Sequence, residues 1–137
     1  MLAAWTTPAQ RRLFDTMHVA DQRHGLDVVA SMRAAGVKDR DALVAGLLHD
    51  AGKGDTGVWP RVAYSLGQAY GPRVRRFASV WPGMGKALER LDAHAQQSAV
   101  LAAEAGCSQR AIDLIRYQDE PRDPEFGAAL KLADEAN

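Results

Sequence analysis

The sequence predicts an all-α fold, and three observations support this prediction. Apolar residues recur at helical spacing in the segments between breaks, and no stretch shows the alternation of apolar and polar residues that is typical of β-strands. Start and stop signals separate these segments, with proline or small polar residues at their beginnings and glycine or proline at their ends. We therefore expect residues 1–137 to form a single domain, an irregular bundle of about six to eight helices.

Two helices are predicted before residue 37. Thr7 and Pro8 are typical of a helix start, with threonine as the N-cap and proline at the first helical position, and this helix should reach about residue 20. The second should run from about Asp21 to near Gly36. Its inward residues are predicted to be Leu26, Val28, Val29 and Met32.

A third helix is expected to be central and largely buried. No charged residue lies between Asp41 and Asp50, so this segment offers little to the solvent. Asp39 or Asp41 should cap the helix, and Gly52 should end it in the left-handed conformation that glycine adopts without penalty. Its apolar stripe is Leu43, Val44, Leu47 and Leu48, and its small residues are Ala42, Ala45, Gly46 and Ala51.

The remaining chain is predicted to form a loop over residues 52–59 followed by helices. Gly106 should stop one of these helices and Ser108 should cap the next, which ends before Pro121. A last helix should begin near Pro124. The intervening helices are expected over residues 60–70, 73–81 and 86–105.

Composition excludes several classes of protein. The formal net charge is zero, so no general positive field would recruit a nucleic-acid polymer or an anionic membrane. No apolar stretch is long enough to span a membrane, and the N-terminus lacks the pattern of a signal peptide. Cys107 is the single cysteine, which rules out an internal disulfide and fits a reducing compartment. We expect a cytoplasmic protein.

Two carboxylates stand in unusual positions. Asp50 follows His49 in the last turn of the predicted central helix, where a carboxylate faces the negative end of the helix dipole. A buried and unpaired charge there would cost several kcal/mol, so a positive group should lie beside it, and the neighbouring imidazole favours a divalent metal. Asp134 follows an apolar run and is expected at or beside the buried face of the last helix, an exposed carboxylate being the alternative. His18 is expected to be structural or solvated.

Three segments of the chain together resemble the HD-domain superfamily of metal-dependent phosphohydrolases. They are His24, the string Leu-Leu-His-Asp-Ala-Gly-Lys at residues 47–53, and Leu-Ala-Asp at residues 132–134. The resemblance spans about residues 10 to 136 and implies an irregular helical bundle with a metal site. The metal ligands that it implies are His24, His49, Asp50 and Asp134. Two imidazoles and two carboxylates suit one divalent ion, with Mn, Mg, Fe, Co, Ni and Zn all open.

The resemblance also implies a reaction, the cleavage of a phosphoester of a small molecule by a metal-activated water, a nucleotide being one candidate substrate. The candidate catalytic residues are Asp50, Lys53 and Asp55. Lys53 is expected to contact the substrate phosphate, an exposed loop lysine being the alternative. Asp55 is a candidate to position the water or to transfer a proton, but a solvated loop position is an equally simple interpretation.

Two further residues are candidates for substrate binding. His94 lies where many members carry a histidine that opens a helix lining the pocket, so it is expected to contact the phosphate or to add a ligand. Arg61 belongs to a basic cluster that would attract an anionic substrate, although such a run is more often a solvated helix face. The other members of this cluster are Arg73, Arg75 and Arg76.

The chain departs from the family pattern at residues 117–120, where Tyr-Gln-Asp-Glu replaces the histidines that dinuclear members usually carry. This departure favours one ion, although Asp119 or Glu120 could substitute as ligands. Two alternatives remain open. A catalytically degenerate metal-binding or signalling module would keep the fold without turnover, and an oxidative di-iron enzyme would need more histidines than the four present.

Overall fold

A computed structural model describes residues 2–53 and 93–137, and all regular structure within these ranges is helical. The all-α class is therefore confirmed for this part of the chain. Some predicted helices lie outside the described residues, namely those over residues 60–70 and 73–81 and the first part of the one over residues 86–105. A short 3-10 helix, Leu2–Ala4, precedes α1 (Pro8–Thr16), α2 (Val19–Ala34), α3 (Arg40–Leu48), α4 (His94–Glu104), α5 (Gln109–Arg116) and α6 (Gly127–Glu135).

Three helix starts form as predicted. Side-chain oxygens of Thr7, Asp39 and Ser108 accept hydrogen bonds from the backbone N–H three residues on, at 3.2, 3.0 and 3.2 Å. The Gln10 side-chain oxygen in turn accepts a 2.9 Å hydrogen bond from the Thr7 backbone N–H, which completes a capping box. Asp39, and not Asp41, is thus the N-cap of α3.

The boundary between the first two helices lies earlier than predicted. Extended backbone at Met17 ends α1, and α2 begins at Val19 instead of about Asp21. The reason is His18, whose Nδ1 atom accepts a 3.2 Å hydrogen bond from the backbone N–H of Ala20 and so caps α2.

Helix α3 is the centre of the described structure, as predicted. Every residue from Ala42 to Leu48 is buried, and the helix packs against α1, α2, α5 and α6. Helix α2 approaches α3 very closely. A Cβ atom at Gly25 would lie 2.6 Å from the Leu47 carbonyl oxygen, and one at Gly46 would lie 2.8 Å from Met32 Sδ.

The predicted inward face of α2 is correct at three of its four positions. Val28, Val29 and Met32 are buried against α3 and its neighbours in the core. The prediction for Leu26 is wrong, since this side chain is 36 % exposed. Leu26 lies only two residues before Val28, which places it about 200° away around the helix axis.

The end of α3 differs from the prediction. The helix stops at Leu48, and residues 49–52 continue as turns in which the Lys53 N–H donates to the Asp50 carbonyl oxygen at 3.0 Å. Gly52 does not take the left-handed conformation. Its N–H donates to Ser98 Oγ at 2.7 Å, and a Cβ atom would collide with the backbone nitrogen of Ser98. Glycine is needed at this position for the close approach of α4.

Left-handed glycines end two other helices, as the sequence indicates. Gly36 has φ of 92° after α2, and Gly106 has φ of 73° after α4.

The start of α6 is fixed by a charged cluster. Asp123 Oδ1 accepts hydrogen bonds from the backbone N–H groups of Glu125 and Phe126, both at 2.9 Å. The Arg110 guanidinium of α5 donates to both oxygens of Asp123, at 2.9 and 3.2 Å. The helix begins at Gly127, slightly later than the predicted start near Pro124. It then packs against α2 and α3, which carries Asp134 toward the centre of the bundle.

Within residues 2–53 and 93–137, none of the helices combines the length and the apolar character that a membrane span requires.

Candidate metal centre

Three side chains from distant parts of the chain meet beside the end of α3. His24 lies on α2, His49 directly follows α3, and Asp134 lies on α6. The Oδ1 atom of Asp134 is 2.8 Å from Nε2 of His24 and 3.2 Å from Nε2 of His49. One donor atom from each residue lies within 4.8 Å of the other two, which makes this group a candidate metal site. Three of the four predicted ligands are thus brought together.

The spacing and the chemistry of these donors fit a divalent ion. An ion with bonds of roughly 2.1 Å has neighbouring donors about 3.0–3.4 Å apart in octahedral or tetrahedral geometry. The separations of 2.8 and 3.2 Å from the Asp134 oxygen are close to this range. Two imidazole nitrogens with a carboxylate oxygen are a donor set that first-row divalent ions accept.

The ring of His49 is held in the orientation that a ligand needs. Its Nδ1–H donates a 2.8 Å hydrogen bond to the carbonyl oxygen of Gly46, one turn earlier in α3, so Nε2 faces the cluster. Burial alone would lower the pKa of His49. The charge of Asp50, together with the hydrogen bond and charge of Asp134, outweighs this effect and raises the pKa to about 9. Nε2 of His49 is directed toward Oδ1 of Asp134, 3.2 Å away.

The fourth predicted ligand, Asp50, lies at the edge of this cluster. Its side chain is 2 % exposed, and Oδ2 is 3.8 Å from Nε2 of His24 and 3.7 Å from Nε2 of His49. The positive groups that its burial requires are present, with Lys53 Nζ 2.8 Å from Oδ2 and His94 Nε2 3.3 Å from Oδ1. Burial raises the pKa of Asp50, but His49, His94 and Lys53 together hold it well below its usual range.

Asp134 is also ionised. Partial burial raises its pKa, but the hydrogen bonds from His24 and His49, together with the charge of His49, hold it below its usual range. The alternative of a fully exposed carboxylate near the C-terminus is thus wrong, because the side chain is 27 % exposed and bonded to two imidazoles.

The two predicted phosphate contacts lie on opposite sides of Asp50. His94 is the first residue of α4, as expected of a histidine that opens a helix, and it is buried. Lys53 is 18 % exposed, and its ammonium donates to Asp50. The alternative of an exposed loop lysine is therefore wrong, whereas phosphate binding by Lys53 and His94 stays a prediction. Asp55 and Arg61 lie outside the described residues.

Two positioning residues were not predicted from the sequence. The buried amide of Gln118 donates to the carbonyl oxygen of His49 at 3.1 Å and to that of Ile115 at 2.9 Å. The Ser98 hydroxyl, also buried, accepts the Gly52 N–H and fixes the turn that follows Asp50. Both side chains bind backbone groups, and such contacts leave no signal in residue spacing.

Comparisons of the chain with protein-family models, with curated proteins and with solved structures found no match. Function must therefore be inferred from these residues themselves.

Proposed function

We propose that this protein is a metal-dependent phosphohydrolase of the HD-domain type, which cleaves a phosphoester of a small molecule. The observation that carries the proposal is the convergence of His24, His49 and Asp134 from three separate segments on one point, with donor atoms within 4.8 Å of one another. The resemblance of residues 47–53 and 132–134 to that superfamily supports the same assignment.

His24, His49 and Asp134 would hold one divalent ion, and Asp50 would join them, because its Oδ2 faces the same two ring nitrogens at 3.8 and 3.7 Å. A divalent ion in such a site lowers the pKa of a bound water and neutralises charge on a phosphoryl oxygen. Three protein ligands leave one position open on a tetrahedral ion, and four leave two positions open on an octahedral ion, as a catalytic site requires.

The chain supplies cationic groups around this site for an anionic substrate. Lys53 and His94 approach the two oxygens of Asp50 at 2.8 and 3.3 Å, so both lie within a short side-chain movement of a phosphoryl group beside the ligands. Asp55 as a proton-transfer group and Arg61 as a further phosphate contact remain part of the proposal. The zero net charge supports a small phosphorylated molecule, such as a nucleotide, over a nucleic-acid polymer.

A second candidate function is a metal-binding or signalling module of the same fold without turnover. One observation favours it, namely that the Lys53 ammonium already binds Asp50 at 2.8 Å and so is engaged within the protein. The two functions share the metal site and differ only in whether a phosphoester is hydrolysed.

Metal binding and turnover can be tested together with one matched pair of variants. Asp134→Asn removes the carboxylate that both imidazoles contact, whereas Glu135→Gln removes the same charge from the next, exposed position. Purified wild type and Glu135→Gln should bind Mn, Mg, Fe, Co, Ni or Zn and gain thermal stability from the ion, whereas Asp134→Asn should bind it at least about 100-fold more weakly.

The same proteins should then be assayed against nucleotides and general phosphoesters with each ion. Hydrolysis by the wild type and by Glu135→Gln, but not by Asp134→Asn, is the expected result. Binding without hydrolysis of any substrate would favour the non-catalytic module. Equal binding by all three proteins, or by none, would reject the metal site.

A further inference from the structure

The Oδ2 atom of Asp50 faces nitrogen atoms on two sides. On one side lie the ring nitrogens of His24 and His49, at 3.8 and 3.7 Å, and on the other lies Lys53 Nζ, at 2.8 Å. The other carboxylate oxygen, Oδ1, faces His94 at 3.3 Å. The oxygen that is directed toward the candidate metal ligands is therefore the one that the lysine binds.

We propose that Lys53 is a built-in competitor of the divalent ion at Asp50 Oδ2, so that ion binding displaces its ammonium from the carboxylate. The proposal rests on the proposed function, because it needs an ion held by His24, His49 and Asp134. It assigns to Lys53 a role in setting the affinity of the site for cations.

Electrostatics makes the two cations compete. Two like charges a few ångströms apart repel each other strongly where little water screens them, and a divalent ion exerts twice the repulsion of a monovalent one. Asp50 is 2 % exposed and Lys53 only 18 % exposed, so little water screens the pair. An ion bonded to Oδ2 would also occupy the side of the oxygen that faces the imidazoles, and the ammonium hydrogen bond at 2.8 Å would weaken as a result.

Among the described residues around Asp50, Lys53 is the group best able to leave. The ring of His49 is fixed by its hydrogen bond to Gly46, and His94 contacts the opposite oxygen. Lys53 instead follows α3 in a turn, where its backbone N–H donates to the Asp50 carbonyl oxygen at 3.0 Å. This bond keeps the residue beside the site while its flexible four-carbon stem lets the ammonium swing away. A released ammonium would carry an uncompensated charge beside the metal site and would favour an anion there.

The first test measures Zn²⁺ affinity by calorimetry in four proteins, namely wild type, Lys53→Met, Lys53→Arg and Lys38→Met. Methionine keeps much of the lysine stem but removes the charge, arginine keeps the charge, and exposed Lys38 precedes the opposite end of α3 as a control for net charge. Lys53→Met should bind Zn²⁺ at least about tenfold more tightly than the wild type, since a repelling charge is gone. Lys38→Met and Lys53→Arg should stay within about threefold of the wild type.

A second measurement uses the wild type and does not depend on how well a variant folds. The side-chain ammonium of Lys53 can be followed by its ¹⁵N NMR signal, and Zn²⁺ is diamagnetic and leaves such signals visible. Addition of Zn²⁺ should shift the Lys53 signal and speed its hydrogen exchange, while the Lys38 signal stays unchanged.

The possible failures are distinguishable. A wild type that binds none of the six candidate ions would overturn the proposed metal site itself. A wild type that binds Zn²⁺ with the same affinity as Lys53→Met, or whose Lys53 signal does not respond to Zn²⁺, would overturn the competition and leave the metal site standing.

Discussion

The side-chain amide of Gln118 donates one hydrogen bond to the carbonyl oxygen of His49, at 3.1 Å, and another to that of Ile115, at 2.9 Å. Both bonds are buried, and the first connects the segment after α5 to the turn that carries His49 and Asp50. Gln118 belongs to the Tyr-Gln-Asp-Glu segment at residues 117–120. In this chain it supports the backbone of a candidate ligand.

This arrangement predicts one tightly bound ion per chain. The Gln118 amide is engaged with two backbone carbonyls, and neighbouring Tyr117 is a poor ligand for a divalent ion. Element analysis of protein loaded with metal and then desalted should give a ratio near one. A stable ratio of two would contradict the prediction and would direct attention to His94, Asp119 and Glu120 as additional ligands.

Gln118→Ala should lower the free energy of unfolding by about 1–3 kcal/mol, because it leaves the buried carbonyl oxygen of His49 without its donor. Gln109→Ala is the matched control, since the Gln109 side chain is exposed on α5, the helix that precedes Gln118, and bonds only Asp113 among its described contacts. It should change stability by less than about 0.5 kcal/mol. Urea unfolding of the metal-free proteins measures both values, and equal effects would show that the His49 contact adds nothing.

Gly52→Ala should destabilise the protein for a steric reason. The added methyl group would overlap the backbone nitrogen of Ser98, which belongs to a packed helix and cannot easily move. We expect a loss of about 1–3 kcal/mol, as for other overpacked sites, together with weaker metal binding because Asp50 lies two residues away. Gly106→Ala is the control, as its φ of 73° is strained for alanine but no atom lies within 4 Å of the added methyl. It should cost about 1 kcal/mol and leave metal affinity unchanged.

The features that the sequence predicts correctly are mostly local. Thr7, Asp39 and Ser108 cap helices through hydrogen bonds that span three residues, so the residue types alone suffice. Burial of α3 follows from its lack of charged residues. The pairing of His18 with the Ala20 N–H is equally local, yet histidine is an uncommon cap, and the start of α2 was predicted too late for that reason.

The features that the sequence does not predict depend on contacts between distant segments. Gly52 is glycine because α4 passes within contact distance, and only the packed structure contains that information. His24 and Asp134 lie 110 positions apart, so their 2.8 Å contact was expected from the family resemblance and not from spacing. The need for a positive partner at Asp50 was predicted from electrostatics, but its identity as Lys53 and His94 came from the structure.

Acid should weaken the connection between α5 and α6. Hydrogen bonds from Arg110 and from two backbone N–H groups hold the pKa of Asp123 well below its usual range, and they outweigh the opposite effect of burial. Its folded-state pKa is thus lower than its unfolded value of about 3.9, so its contribution to stability is fully present above about pH 4 and is lost as the pH falls further. Asp123→Asn should therefore lower Tm by a few degrees at pH 7, and the difference from wild type should shrink below pH 4.

The control for this prediction is Asp27→Asn, which removes an exposed carboxylate whose partner is Arg23 at 3.2 Å. Exposed pairs of this kind contribute little, so its Tm should stay close to that of the wild type at both pH values. A Tm difference between Asp123→Asn and wild type that persists unchanged at pH 3 would show that the charge of Asp123 is not the stabilising feature.

Lys53→Ala tests whether the ammonium that binds Asp50 also serves the substrate. With the site saturated by its divalent ion, the released ammonium should donate a charge-assisted hydrogen bond to the phosphoryl group. Its loss should lower kcat/KM for the phosphoester by roughly 1.5–3 kcal/mol, on the order of 10- to 100-fold, while the fold stays intact. Lys53→Arg should recover part of this activity, since it restores the charge with a different reach and shape. If Lys53→Ala matches the wild type within about twofold under saturating metal, the phosphate contact must come from His94 or Arg61, and Lys53 acts on the cation alone.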